Sequence, residues 1–81
     1  MPKFNGHKNW NHWNVYLWLT GDEGLYGLVR WNVKHYRTLN EAASATYETL
    51  WGLAPKGEKP HTPDGAPYTF TSIRAALVGI R

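Results

Sequence analysis

The sequence predicts an all-α fold, and three observations carry that expectation. Apolar side chains recur at helical spacing in separate stretches of the chain. Two of the stretches are preceded by residues that form capping boxes. Four of the five prolines, Pro55, Pro60, Pro63 and Pro67, gather in one segment and leave the rest free for helix. With 81 residues there is room for one domain and one core. The expected architecture is a single small domain, 1–81, of about four helices, with a long Pro/Gly-rich loop at 54–68 before the last helix.

Residues 1–8 are polar and read as a flexible arm. The first helix is expected over about 10–19, where Trp10, Trp13, Asn14, Leu17 and Trp18 share helical spacing. Asn9 or Asn11 can cap it through a side-chain oxygen. A strand over Val15–Leu19 is the competing assignment, since those residues are β-compatible.

Thr20-Gly21-Asp22-Glu23 fits a capping box and predicts a kink, then a second helix over about 21–37. Along it Leu25, Leu28, Val29, Asn32, Val33 and Tyr36 form one stripe. Arg30, Lys34, His35 and Arg37 gather near its C-terminal end, where the helix dipole favours cations. Thr38-Leu39-Asn40-Glu41 is a second capping box and opens a helix over about 39–52. Ala42, Ala43 and Ala45 make one side of that helix small enough for a neighbour to approach closely. After the loop, Phe70, Ile73, Leu77 and Ile80 predict a helix over about 70–80, capped by Thr69 or Thr71.

A chain of this size buries only about 60% of its unfolded surface, so dense packing is needed. Five tryptophans, five tyrosines and two phenylalanines can supply it. Trp31 falls off the second helix's apolar stripe, which makes it the tryptophan least needed by a core. Asn14 and Asn32 sit on otherwise apolar stripes and must find polar partners there, in each other or in loop backbone, or else face a partner molecule.

Composition excludes several classes of function. With no cysteine, neither disulfides nor thiolate metal sites contribute. No apolar run is long enough for a secretory signal or a membrane span, so a cytoplasmic, membrane-free protein is expected. The formal charge of +3 allows an acidic partner. It argues against DNA mimicry, because six Asp and Glu cannot build an acidic face.

Catalytic chemistry finds no foothold. His7, His12, His35 and His61 show no pairing at metal-ligand spacing, so no cofactor is expected. Asp22 and Glu23 are accounted for by helix capping, and Ser44 and Ser72 lack the setting of a nucleophile. Gly21, Gly24 and Gly27 lack the Gly-Lys-Ser/Thr of a phosphate loop, and Gly24 and Gly27 read as sites of close helix packing. An enzyme is therefore not expected.

One resemblance adds context. The run Asn5-Gly6, Trp13-Asn14-Val15, Leu17-Trp18 and Asp22-Glu23-Gly24-Leu25-Tyr26, with Thr62-Pro63-Asp64-Gly65 later, resembles a family of short uncharacterised phage and mobile-element proteins. The likeness is dense over residues 5–26 and thin beyond; it departs at Asn11-His12, where the family tends to an acidic residue followed by Thr. It brings no catalytic residues. It implies a protein made in a bacterial host that binds and inhibits a host protein complex, by analogy an anti-CRISPR acting on a CRISPR effector. The alternatives are a small basic nucleic-acid-binding protein and a structural or regulatory homodimer. For the inhibitor the expected contact residues are Arg30, Trp31, Lys34 and Arg37; a nucleic-acid binder would use Arg30, Lys34 and Arg37, and a homodimer would pair exposed tryptophans across a two-fold axis.

Overall fold

A computed structural model of the protein describes residues 9–80, so the arm expected at 1–8 lies outside the described residues. Four helices follow one another: α1 (Trp10–Gly21), α2 (Glu23–His35), α3 (Leu39–Leu53) and α4 (Phe70–Ile80). The all-α expectation holds, and Val15–Leu19 is helix. No helix among the described residues is long and apolar enough to cross a membrane.

Capping chemistry sets the helix boundaries. The Asn9 side chain accepts the His12 amide and starts α1. The second helix starts two residues later than the Thr20 box predicts. Thr20 turns its hydroxyl back to the Tyr16 carbonyl at 2.8 Å, inside α1. Asp22 is the N-cap of α2 instead, accepting the Leu25 amide at 2.9 Å. A carboxylate there meets both the free amides and the positive end of the dipole, which a hydroxyl cannot match.

The Thr38 cap stands as expected, with its hydroxyl oxygen accepting the Glu41 amide at 3.1 Å. Thr69 and Ser72 cap α4 reciprocally, each side-chain oxygen accepting the other's backbone N–H at 3.0–3.1 Å. At the other end of α2, Tyr36 is extended, so the helix stops at His35 and not at residue 37.

The helices form a ring in which α1 packs on α2 and α4, and α3 packs on the same two. Val15, Leu19, Val29, Ala42, Ala43, Leu50, Ile73, Ala76 and Leu77 fill its centre. Two of the three small residues expected to face a neighbour in α3 do so, Ala42 and Ala43 being fully buried, while Ala45 is half-buried. Close helix approach occurs at a different glycine from those anticipated. A Cβ on Gly79 would lie 3.1 Å from the Tyr16 ring, whereas one on Gly27 would meet nothing within 4 Å.

The two asparagines do not bond each other. Asn32 donates to the Thr46 hydroxyl at 2.9 Å, and Thr46 donates onward to the Ala42 carbonyl at 2.8 Å. Asn14 reaches out of the bundle to the 60–68 segment.

That segment has structure of its own. Thr62-Pro63-Asp64-Gly65 closes a tight hairpin, with the Gly65 amide donating to the Thr62 carbonyl and the Thr62 amide to the Ala66 carbonyl, both at 2.8 Å. Gly65 has φ +96°, the left-handed conformation that a three-residue hairpin loop requires. Proline at the second position of the turn supplies the matching fixed φ.

Candidate functional site

The outer face of α2 lies opposite its buried Val29 and Asn32. Gly27, Arg30, Trp31 and Lys34 fall there at i, i+3, i+4 and i+7, and all four are exposed. Trp31 is 54% exposed, more than Trp10 or Trp51 at 41%.

Trp31 has a companion. The His35 ring lies one helical turn on and stacks against it, with centroids 3.8 Å apart and planes within 13° of parallel. The Nδ1–H of His35 donates to the Trp31 carbonyl at 2.8 Å, which fixes the imidazole's orientation. Arg30 is steered as well, its guanidinium carbon 5.7 Å from the centre of the half-buried Tyr26 ring. Arg30 and Lys34 also border a small groove shared with Val33 and Ile80. The result is a stacked aromatic pair flanked along one side of the helix by two cations.

Arg37 does not belong to this helical face. It is exposed, but it lies past the end of α2 in the link to Thr38. The i, i+4, i+7 relation that groups Arg30, Lys34 and Arg37 in the sequence holds only while the helix continues, and Tyr36 ends it.

A second constellation joins α1 to the hairpin. The Asp64 carboxylate accepts both the Asn14 amide and the Trp18 indole N–H, each at 2.9 Å. The Thr62 hydroxyl donates to the Asn14 carbonyl oxygen and accepts the Ala66 amide at 3.0 Å. Asn11 adds a bond from its amide to the Pro67 carbonyl at 2.9 Å. The Asn14 bond, and after it the Trp18 bond, hold the Asp64 carboxyl below its ordinary value, against a smaller opposing effect of burial. Asp64 is thus a fixed acceptor, committed to holding the hairpin on α1.

Beside the hairpin lies an open cleft of about 320 Å³, lined mainly by Leu25, Leu50, Leu53, Pro60, Pro63 and Tyr68. Leu53 stands 69% exposed. Tyr68 is buried, and this pushes its hydroxyl up to about 12, helped by the negative charge of Asp22. Lys59 and His61 also line the cleft.

Among the described residues, no group of three or more His, Cys, Asp or Glu side chains is arranged to hold a metal ion. His61 bonds the Thr62 carbonyl at 2.9 Å.

The two stretches that carry the sequence resemblance, 5–26 and 62–65, meet through Asn14, Trp18 and Asp64 in the clasp. A family model matches residues 1–78, almost the whole chain. The chain belongs to DUF7249, a family of unknown function. Membership of DUF7249 agrees with the uncharacterised family inferred from the residues and assigns no activity. Comparison with curated proteins and with solved structures gives no match.

Two features of these sites escaped the sequence reading. The Trp31–His35 stack was open to detection, since residues four apart on a helix are neighbours. The role of Asp64 as a shared acceptor was not, because its donors lie 46 and 50 residues away.

Proposed function

We propose that this protein has no chemistry of its own and acts by binding, with the outer face of α2 as its contact surface. The observation that carries this reading is the exposed Trp31, stacked on His35 and flanked by Arg30 and Lys34. Beyond its stack on His35, an indole left 54% exposed contributes little to the fold. At interfaces, Trp and Arg dominate the binding energy. Fixing the ring pair before contact also lowers the entropy lost on association.

The partner is proposed to be a host macromolecular complex, with the protein acting as a phage or mobile-element inhibitor in the bacterial cytoplasm. A CRISPR effector is the first complex to test. The support for this context is the resemblance of residues 5–26 and 62–65 to phage proteins, together with the positive charge of the α2 face. Arg37, close by in sequence, is proposed to add to the electrostatic steering.

The test is capture of a host complex on immobilised protein, compared among wild type, Trp31→Ala and Arg30→Glu/Lys34→Glu. Loss of capture by both variants, with unchanged far-UV circular dichroism, supports the reading. Full capture by both folded variants refutes it and moves attention to the cleft at Leu53 and Pro60.

A further inference from the structure

Resting on the reading of the α2 face as the contact surface, we infer that the element it grips is single-stranded nucleic acid, with an unpaired base stacked on the Trp31–His35 pair and adjoining phosphates on Arg30 and Lys34. Three observations lead there.

The first is the geometry of the ring pair. Stacked face to face with centroids 3.8 Å apart, the two rings cover each other's inner faces and leave an outer ring face on which the stack can be continued, and Trp31 is 54% exposed. The best complement to such a surface is another flat ring in offset stacking. An apolar side chain from a protein would leave much of it uncovered. A duplex hides its base faces between neighbouring pairs, so the ring pair favours a strand whose bases are free.

The second is the charge. Arg30 and Lys34 lie a turn apart on the same side as Trp31, close enough to contact the phosphates on either side of one stacked base. Arg30 is already aligned over Tyr26. Glu23, the α2 acid on this side, lies nearly two turns before Arg30 and leaves the C-terminal half of the face purely cationic.

The third is the approach. Gly27 lies one turn before Trp31 on the same face, and none of the described residues stands within 4 Å of where its Cβ would be. A glycine inside an exposed helix lowers stability by about 1 kcal/mol relative to alanine. Among the described residues nothing uses the space it leaves. An incoming sugar-phosphate backbone would use it.

The test is fluorescence anisotropy with a labelled oligothymidylate of about 15 nucleotides and the corresponding duplex, a length within the range that one single-strand-binding module covers. Wild type, Trp31→Ala and Arg30→Glu/Lys34→Glu are compared at about 50 and 200 mM salt. The expected result is binding of the single strand in preference to the duplex. With two phosphates contacted, log affinity should fall against log salt with a slope of about −1.4. Trp31→Ala should weaken binding roughly tenfold, and the double charge reversal should abolish it.

Failure of the oligothymidylate to bind at the lower salt overturns the inference, and so does equal or tighter binding of the duplex. Unchanged affinity of folded Trp31→Ala also overturns it. If Trp31→Ala does not fold, His35→Ala takes its place with the same expected loss. The outcome separates this inference from the reading beneath it. When the variants abolish capture of a host complex but the oligothymidylate does not bind, the α2 surface stands and its partner is an acidic protein. When the variants affect neither assay, both readings fall.

Discussion

The Asn14 amide donates to the Asp64 carboxylate at 2.9 Å, joining α1 to a hairpin 50 residues further along the chain. Asn14 is 1% exposed and its carbonyl oxygen is also used, by the Thr62 hydroxyl. A buried amide with both ends engaged specifies one register between the two segments. Truncating it should leave the Thr62 hydroxyl without its acceptor. Asn14→Ala is expected to cost about 1–3 kcal/mol in chemical denaturation. A loss below a few tenths of a kcal/mol would mean that the hairpin is held by other contacts.

The same clasp predicts a pH dependence. The carboxyl of Asp64 is lowered from 3.8 in the folded protein, first by Asn14 and then by Trp18. A depressed folded pKa means that the unfolded chain binds the proton more readily. The stabilisation is therefore complete above pH 3.8 and is lost as pH falls through the folded value. Thermal melts from neutral pH into this acid range should show it in wild type, while Asp64→Asn should melt with a flatter acid limb. Parallel acid limbs for the two proteins would rule out the linkage.

Asn32 and Thr46 form a buried pair that can be removed singly or together. Thr46→Val alone strands the Asn32 amide and should cost about 1–3 kcal/mol. Asn32→Leu with Thr46→Val removes both polar partners and should cost less than the two single changes summed. Additive losses in a double-mutant cycle would show that the hydrogen bond contributes little.

At the α1–α2 junction the cap is Asp22, and Thr20 bonds within α1. Asp22→Ala should lose about 1 kcal/mol, the usual cost of removing an N-cap side chain. Thr20→Ala should lose less, since no free amide depends on its hydroxyl. If Thr20→Ala proved the more harmful, the helix would start two residues earlier in solution.

Gly27 and Gly79 should respond to alanine with opposite signs. Gly27 sits in open space in a helix interior, so Gly27→Ala should stabilise by about 1 kcal/mol. At Gly79 the added methyl would press on the Tyr16 ring at 3.1 Å, and the helix-propensity gain should be offset or reversed. Melting temperatures of the two variants decide the matter. A destabilised Gly27→Ala would show that the α2 face is not open as described.

Helices were legible in the sequence because their determinants are local. Periodicity and caps lie within a few residues of one another, which is why 70–80 agrees with α4 at both ends and Thr38 caps α3. Exposure of Trp31 followed from its position off the apolar stripe. Where two local signals competed, as at Thr20 and Asp22, the pattern alone could not choose the winner. The chosen cap depends on where α1 ends, and α1 continues to Gly21. The end of α2 at His35 removed Arg37 from the helical face for a similar reason.

Tertiary structure alone decided the partners of the buried polar groups. Asn14, Trp18 and Asp64 each have an unremarkable local reading, as a stripe residue, a core aromatic and a turn residue. Their hydrogen bonds form only after the bundle has brought α1 against the 60–68 hairpin. The sequence by itself determined four helices and an exposed basic, aromatic stretch. The packing of the ring determined the clasp, because a hydrogen bond depends on distance in space and the chain separates these donors from their acceptor by 46 and 50 residues.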